Sequence, residues 1–157
     1  MIKKIWYFAL FCMLIVIDQI TKYLVLSRGI AYDNGSFFGI RLSYNRGISW
    51  GMFHSGDSST FTLVSVVIAL TLLYFAWYTW CVYRSQQSIV AYLFVCAGGV
   101  SNFVDRFSQG AVIDFILFYS RHLYFPIFNV ADVFIVCGVF YILFFQSRNS
   151  CKSFVKK

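Results

Sequence analysis

At 157 residues, 60% apolar and only 12% charged, the chain lacks the polar surface that a soluble domain needs to cover its core. Its acids are all aspartates, six of them against thirteen Lys and Arg, for a net charge of +7. That excess reads as charge facing anionic lipid headgroups and requires no nucleic-acid partner.

The first expected element is a transmembrane helix over residues 5–26, interrupted by Asp18 and Lys22. Lys3-Lys4 before it imitate a secretory signal, but no small-residue cleavage site follows Ala9, so the segment is expected to stay as an anchor. Phe11 is too bulky to precede a lipid-modified cysteine, so Cys12 is not read as a lipidation site. Ser27 to Ser59 form a first outer loop. In it Asp33-Asn34-Gly35-Ser36 is a turn signal, and Phe38, Ile40, Leu42 and Tyr44 alternate with Phe37, Gly39, Arg41 and Ser43 as in a short amphipathic strand. Residues 61–83 are uncharged and, at ~1.5 Å per residue, long enough to cross a bilayer core. Residues 89–106 make a shorter span ending on Asp105-Arg106. An aromatic-rich second outer loop, Phe107 to Tyr124, precedes a fourth span over 127–146 whose only charged residue is Asp132.

The fold class expected from this pattern is an all-α membrane protein, a four-transmembrane-helix bundle with a small β/loop region on the outer membrane face. Residues 1–157 form one membrane-embedded domain. Lys3, Lys4, Arg84, Arg148, Lys152, Lys156 and Lys157 share one side with no acid, whereas Arg28, Arg41, Arg46 and Arg121 lie among Asp33, Asp57 and Asp114. Positive charge marks the inner side, so both termini are expected in the cytoplasm. Asp18, Asp105 and Asp132 then gather near the outer ends of their spans, with Asp114 in the loop joining the last two. The five cysteines read as small apolar fillers, and two histidines without clustered cysteines indicate no metal site.

Carboxylates inside a membrane are costly and usually functional. Asp114 and Asp132 are the candidate pair: two carboxylates around one water in a low-dielectric site share a proton, so one can act as base and the other as acid. A purely structural Asp132 bonded within the bundle, with Asp114 facing water, is the competing reading. Asn129 and Asp132, three apart, are expected on one helix face, as are Asn102 and Arg106, four apart. Arg106 is either a clamp for substrate carbonyls or lipid phosphate, or a snorkelling cation with Asp105 as its counter-ion. Asp18 and Lys22, in acid-first i, i+4 order, suggest an ion pair locking the first helix.

Other chemistries fit less well. A rhomboid-type protease needs a Gly-x-Ser-Gly loop and an intramembrane histidine, but Ile48-Ser49-Trp50 is not such a loop, and His54 and His122 lie outside the spans. The Gly-x-Gly-Asp of presenilin-type enzymes is missing. A small proton-coupled transporter relaying protons through Asp18, Asp105 and Asp132 is the rival from another class, and a non-catalytic scaffold a third.

Taken in order, Asp18-Gln19-Ile20-Thr21-Lys22, Asn45-Arg46-Gly47, Gly99-Val100-Ser101-Asn102-Phe103-Val104-Asp105-Arg106, Val112-Ile113-Asp114-Phe115 and Phe128-Asn129-Val130-Ala131-Asp132 resemble the motifs of lipoprotein signal peptidase, the signal peptidase II family. The resemblance runs through most of the chain. It implies that Asp114 and Asp132 are the catalytic dyad, that Asn45, Asn102, Arg106 and Asn129 line the substrate site, and that Asp18, Lys22 and Asp105 support it. It implies an intramembrane aspartyl endopeptidase of the bacterial cytoplasmic (inner) membrane, active near the outer leaflet, which cuts prolipoproteins before a diacylglyceryl-modified cysteine. Membrane lipids, lipid-modified substrate and globomycin-type inhibitors are its implied partners, acting on a monomer with no metal or organic cofactor. After Gly47 the family usually carries two small residues and an aromatic. Here stand Ile48, Ser49 and Trp50.

Overall fold

The computed structural model describes residues 2–35, 37–47, 58–120 and 123–146. The departure from the family pattern at Ile48, Ser49 and Trp50 lies outside them. Helices α1 (Ile2–Arg28), α2 (Ser58–Arg84), α3 (Val90–Gln109) and α4 (Val130–Tyr141) are interleaved with strands β1 (Tyr32–Asp33), β2 (Phe38–Asn45), β3 (Val112–Ser120) and β4 (Leu123–Tyr124). A π-helical turn, Ile142–Gln146, prolongs α4. The strands form one antiparallel sheet in the order β1-β2-β3-β4.

α3 is the hub, packing against α1, α2 and α4. Its closest approach is to α4, and it depends on glycine. A Cβ on Gly98 would stand 2.5 Å from the Ala131 carbonyl oxygen, and one on Gly138 would stand 2.6 Å from that of Ala91. Small residues of this kind let helix backbones approach where lipid-like surroundings supply no hydrophobic drive between them. α3 ends where Gly110 takes a left-handed φ of 65°, turning the chain directly into β3.

α2 is apolar on every side, and only 6% of its apolar stretch is buried within the protein. Leu63, Leu70, Leu73 and Trp77 all face outward. A helix of this character needs an apolar medium around it. By length and composition α1 and α2 can each cross a membrane, whereas Val130–Gln146 is apolar but shorter. The polar residues of α1 point the other way: Asp18 and Lys22 are buried against α3.

The first helix contains the expected span 5–26, running from Ile2 to Arg28. Two expectations need correction. The expected second outer loop is largely strand β3, buried from Val112 to Phe115 and so uniformly apolar around Asp114 that it lacks the alternation of a half-exposed strand. Asn129 is not on a helix face with Asp132. It is the N-cap of α4, in extended conformation, and makes a reciprocal capping box with Asp132. The strand expected around Phe38 to Tyr44 is present as β2.

Adding a methyl at Gly98 pushes on a carbonyl that cannot rotate away. Gly98→Ala is expected to lower stability by ~1–3 kcal/mol, read as a fall in thermal midpoint in detergent. An unchanged midpoint would show that the α3–α4 seam is looser than these distances require.

Candidate active site

Asp114 owes its position to strand register. β2 and β3 pair Ile40 with Ile116 and then Ser43 with Asp114, so Arg41 and Leu42 together oppose Phe115 in a bulge. Bulges re-aim the neighbouring side chains. Beyond the bulge Asn45 lies opposite Val112, which brings its amide to Asp114. On the other edge of β3, the Phe128 carbonyl accepts from the Phe115 and Ile116 amides, at 3.0 and 2.7 Å, and the Phe128 amide donates to Ile116 at 3.1 Å. This isolated bridge sets Asn129, and one turn later Asp132, beside Asp114.

Each of the four carboxylate oxygens receives one N–H. Asp114 Oδ1 accepts from Asn129 Nδ2 at 2.7 Å, and its Oδ2 accepts from Asn45 Nδ2 at 3.0 Å. Asp132 Oδ1 accepts from Asn102 Nδ2 at 2.9 Å, and its Oδ2 accepts from the Asn129 backbone amide at 3.2 Å. Asn45 is steadied in turn, because its Oδ1 accepts from the Gly47 amide at 2.9 Å. Both acids border one cavity of about 660 Å³ between α2, α3, α4 and the sheet. Burial, followed by the neighbouring charge of Asp132, pushes the Asp114 carboxyl up to about 7. The remaining lone pairs can therefore hold one proton and one water, the arrangement needed for acid–base hydrolysis.

Arg106 lines the same cavity. Its Nη2 donates to the Gly47 carbonyl, while Nη1 is buried with no hydrogen-bond partner among the described residues. Its guanidinium carbon lies 5.7 Å from the ring centre of Phe61, and that of Arg46 lies 5.8 Å from the same ring. One aromatic ring in the first turns of α2 thus sits against two cations. The snorkelling alternative does not hold: Arg106 is buried, and Asp105 pairs with Lys22 instead.

Below the acids lies a second buried cluster. Lys22 Nζ is 2.6 Å from Asp18 Oδ2 and 2.7 Å from Asp105 Oδ2. The ion pair expected within the first helix is therefore present and extends to α3. Asp18 also accepts from Ser101 Oγ and the Ala131 amide, both at 2.7 Å. Asp105 accepts from Gln19 Nε2 at 2.8 Å and from the Ile113 amide at 3.2 Å. These acids form one connected cluster with Asp132 and Asp114, not a chain strung through the bundle, so nothing supports the transporter reading.

Sequence reasoning did not single out Gln19, Ser101 or Phe61. The first two stand inside the quoted motifs, and their polarity beside buried acids was the available signal. Phe61 is one of nineteen phenylalanines and opens an apolar run, so no signal marked it.

Comparison with known proteins identifies the family of the chain. The family model described as signal peptidase (SPase) II matches residues 10–147. The lipoprotein signal peptidase of Rickettsia prowazekii (strain Madrid E) is 34% identical over 137 residues, covering 83% of this chain and 69% of the relative. That of Symbiobacterium thermophilum is 35% identical over 134 residues, covering 80% and 83%. Among solved structures, a bacterial membrane enzyme superposes with a TM-score of 0.68 at 27% identity, covering 92% of this chain and 88% of the other.

Proposed function

The chain belongs to the signal peptidase II family, and from that premise we propose that Asp114 and Asp132 are its catalytic dyad. It is an aspartic-type protease that removes the signal peptide from prolipoproteins. The observation that carries the dyad assignment is the pairing of amides with acids: every carboxylate oxygen takes one N–H, and both acids still face the same cavity.

In the proposed mechanism Asp114 holds the proton at rest, as its raised value favours. A water lies between the two carboxyl groups. Asp132 takes a proton from this water as the oxygen attacks the scissile carbonyl carbon, and Asp114 gives its proton to the carbonyl oxygen. The tetrahedral intermediate then collapses as Asp132 passes its proton to the departing amine, and Asp114 recovers one from the intermediate's hydroxyl. Arg106, which lines the cavity and whose Nη1 has no hydrogen-bond partner among the described residues, binds a substrate backbone carbonyl and fixes the peptide against the dyad. Asn45, Asn102 and Asn129 keep the carboxylates in place.

The substrate in this reading is a prolipoprotein carrying a diacylglyceryl-modified cysteine, cut just before that residue. Its acyl chains enter between the helices from the outer leaflet of the bacterial inner membrane, and globomycin-type cyclic peptides compete for the same cleft. Four spans with both termini cytoplasmic are part of the proposal, supported by the charge bias along the chain. At ~1.5 Å per residue α3 is about 30 Å long and Val130–Gln146 about 25 Å, which suffices when the sheet meets their outer ends at headgroup depth. In this reading the chain works as a monomer, supported by both acids and the three asparagines that hold them coming from one copy.

Purified protein with chelator present is expected to cleave a lipidated prolipoprotein and not its unlipidated form. Asp114→Asn and Asp132→Asn, which keep shape but cannot exchange a proton, are each expected to abolish cleavage, and the double variant to be hardly worse. The exposed Asp33, bonded to Tyr119 away from the cleft, provides the control Asp33→Asn, expected to stay active. Substantial turnover by either dyad variant would overturn the assignment. An acid raised to about 7 is protonated below that pH and loses its proton above it, so kcat/KM is expected to fall as pH rises past about 7. A rate that climbs steadily to pH 9 would contradict it.

Arg106→Lys supplies a second test. An ammonium cannot reach the Gly47 carbonyl and a substrate carbonyl with one planar fork. Cleavage is expected to weaken strongly while the thermal midpoint stays near wild type. Equal loss of both would make Arg106 a structural residue.

A further inference from the structure

The buried ammonium of Lys22 has three protons and no acceptor capacity. Two protons go to Asp18 Oδ2 and Asp105 Oδ2, at 2.6 and 2.7 Å. The third goes to Asn102 Oδ1 at 2.9 Å. A donor-only group at that distance allows one orientation of the Asn102 amide, with its oxygen toward Lys22. The Nδ2 group is left facing Asp132 Oδ1, to which it donates at 2.9 Å.

The only other described donor to Asn102 Oδ1 is Asn129 Nδ2, at 3.0 Å. That amide nitrogen also faces Asp114 Oδ1 at 2.7 Å and the Ile113 carbonyl at 3.3 Å. With two hydrogens for three acceptors, its hold on Asn102 is shared. Lys22 supplies the undivided one. Without it the amide keeps only that shared contact to orient its oxygen, and the Nδ2 group that holds Asp132 Oδ1 loses its fixed aim.

We propose that Lys22 is a positioning residue of the dyad: beyond locking α1 to α3, its third proton fixes the Asn102 amide, and through it the Asp132 carboxylate. The inference rests on the dyad reading given above. It differs from a purely structural ion pair in one respect, since a structural pair acts on stability and not on the turnover of molecules that have folded.

The test is a double-mutant cycle on the full chain in lipid nanodiscs, with a lipidated prolipoprotein as substrate and thermal midpoint, KM and kcat read for each variant. In the folded fraction Lys22→Met is expected to lower kcat about thirtyfold with KM nearly unchanged. On an Asn102→Ala background, where the amide is already gone, the same change is expected to cost less than about threefold.

Where Lys22→Met does not fold, Lys22→Met/Asp105→Asn removes the ammonium together with one counter-charge and is read against Asp105→Asn in the same two backgrounds. An unchanged kcat for Lys22→Met, or the same factor lost with and without Asn102, would overturn the proposal. Turnover by Asp114→Asn or Asp132→Asn would instead remove the dyad reading itself. Dead dyad variants together with an additive cycle would remove only the role of Lys22.

Discussion

An ammonium held away from water must give all three protons to good acceptors, and at Lys22 this requirement organises the molecule. Leaving a charge of that kind unpaired costs several kcal/mol, so its partners have to be brought close and held there. Asp18 comes from the same helix one turn earlier, while Asp105 and Asn102 come from α3. Each carboxylate then needs further donors, and takes them from Ser101, Gln19 and the backbone amides of Ala131 and Ile113. Those two amides belong to α4 and β3. One buried charge therefore ties α1 and α3 to the two elements that carry the candidate catalytic acids.

The outer end of the bundle is assembled in the same manner, by backbone geometry that delivers side chains. The left-handed turn at Gly110 sends the chain from α3 straight into β3, and the Phe128 bridge sends it from the sheet into the first turn of α4. Asn129 serves both as helix cap and as donor to Asp114. Its oxygen accepts from the Asp132 amide at 2.9 Å, leaving its nitrogen free for the neighbouring acid. Capping, ordinarily a matter of helix stability, here also sets the distance between two acids. A cap exchanged for serine would keep the helix and lose the bond to Asp114.

Much of this was legible in the sequence, for reasons that differ between elements. α2 announced itself because an unbroken apolar run has few other uses, and Asp18-Lys22 because acid-first spacing on an apolar helix leaves few partners. The polar residues named from the sequence, Asn45, Asn102, Arg106, Asn129, Asp114 and Asp132, do converge on one cavity or its wall. β3 stayed hidden because it is buried on both faces and so lacks the period-two pattern. The cap at Asn129 was concealed for a related reason: on a helix and at a helix start, residues three apart both meet. Partner choice was the least legible feature. Sequence proximity suggested Asp105 for Arg106, yet Asp105 sits on the Lys22 side of α3 while Arg106 turns to Gly47 and Phe61. Adjacent helical residues point about 100° apart, so they seldom share a partner.

The central claim is that Asp114 and Asp132 share one low-dielectric site and act as a unit. It can be tested without measuring cleavage. Carbon-13 NMR of protein labelled at the aspartate side-chain carboxyl, assigned with single Asp→Asn variants, follows Asp114 directly through its titration. The expected result is a carboxyl that titrates near 7 in the wild type and lower in Asp132→Asn, where burial still holds it up but the neighbouring charge is gone. An Asp114 that titrates at the same pH in both proteins would mean that the two acids do not interact in one site, and the dyad would have to be abandoned.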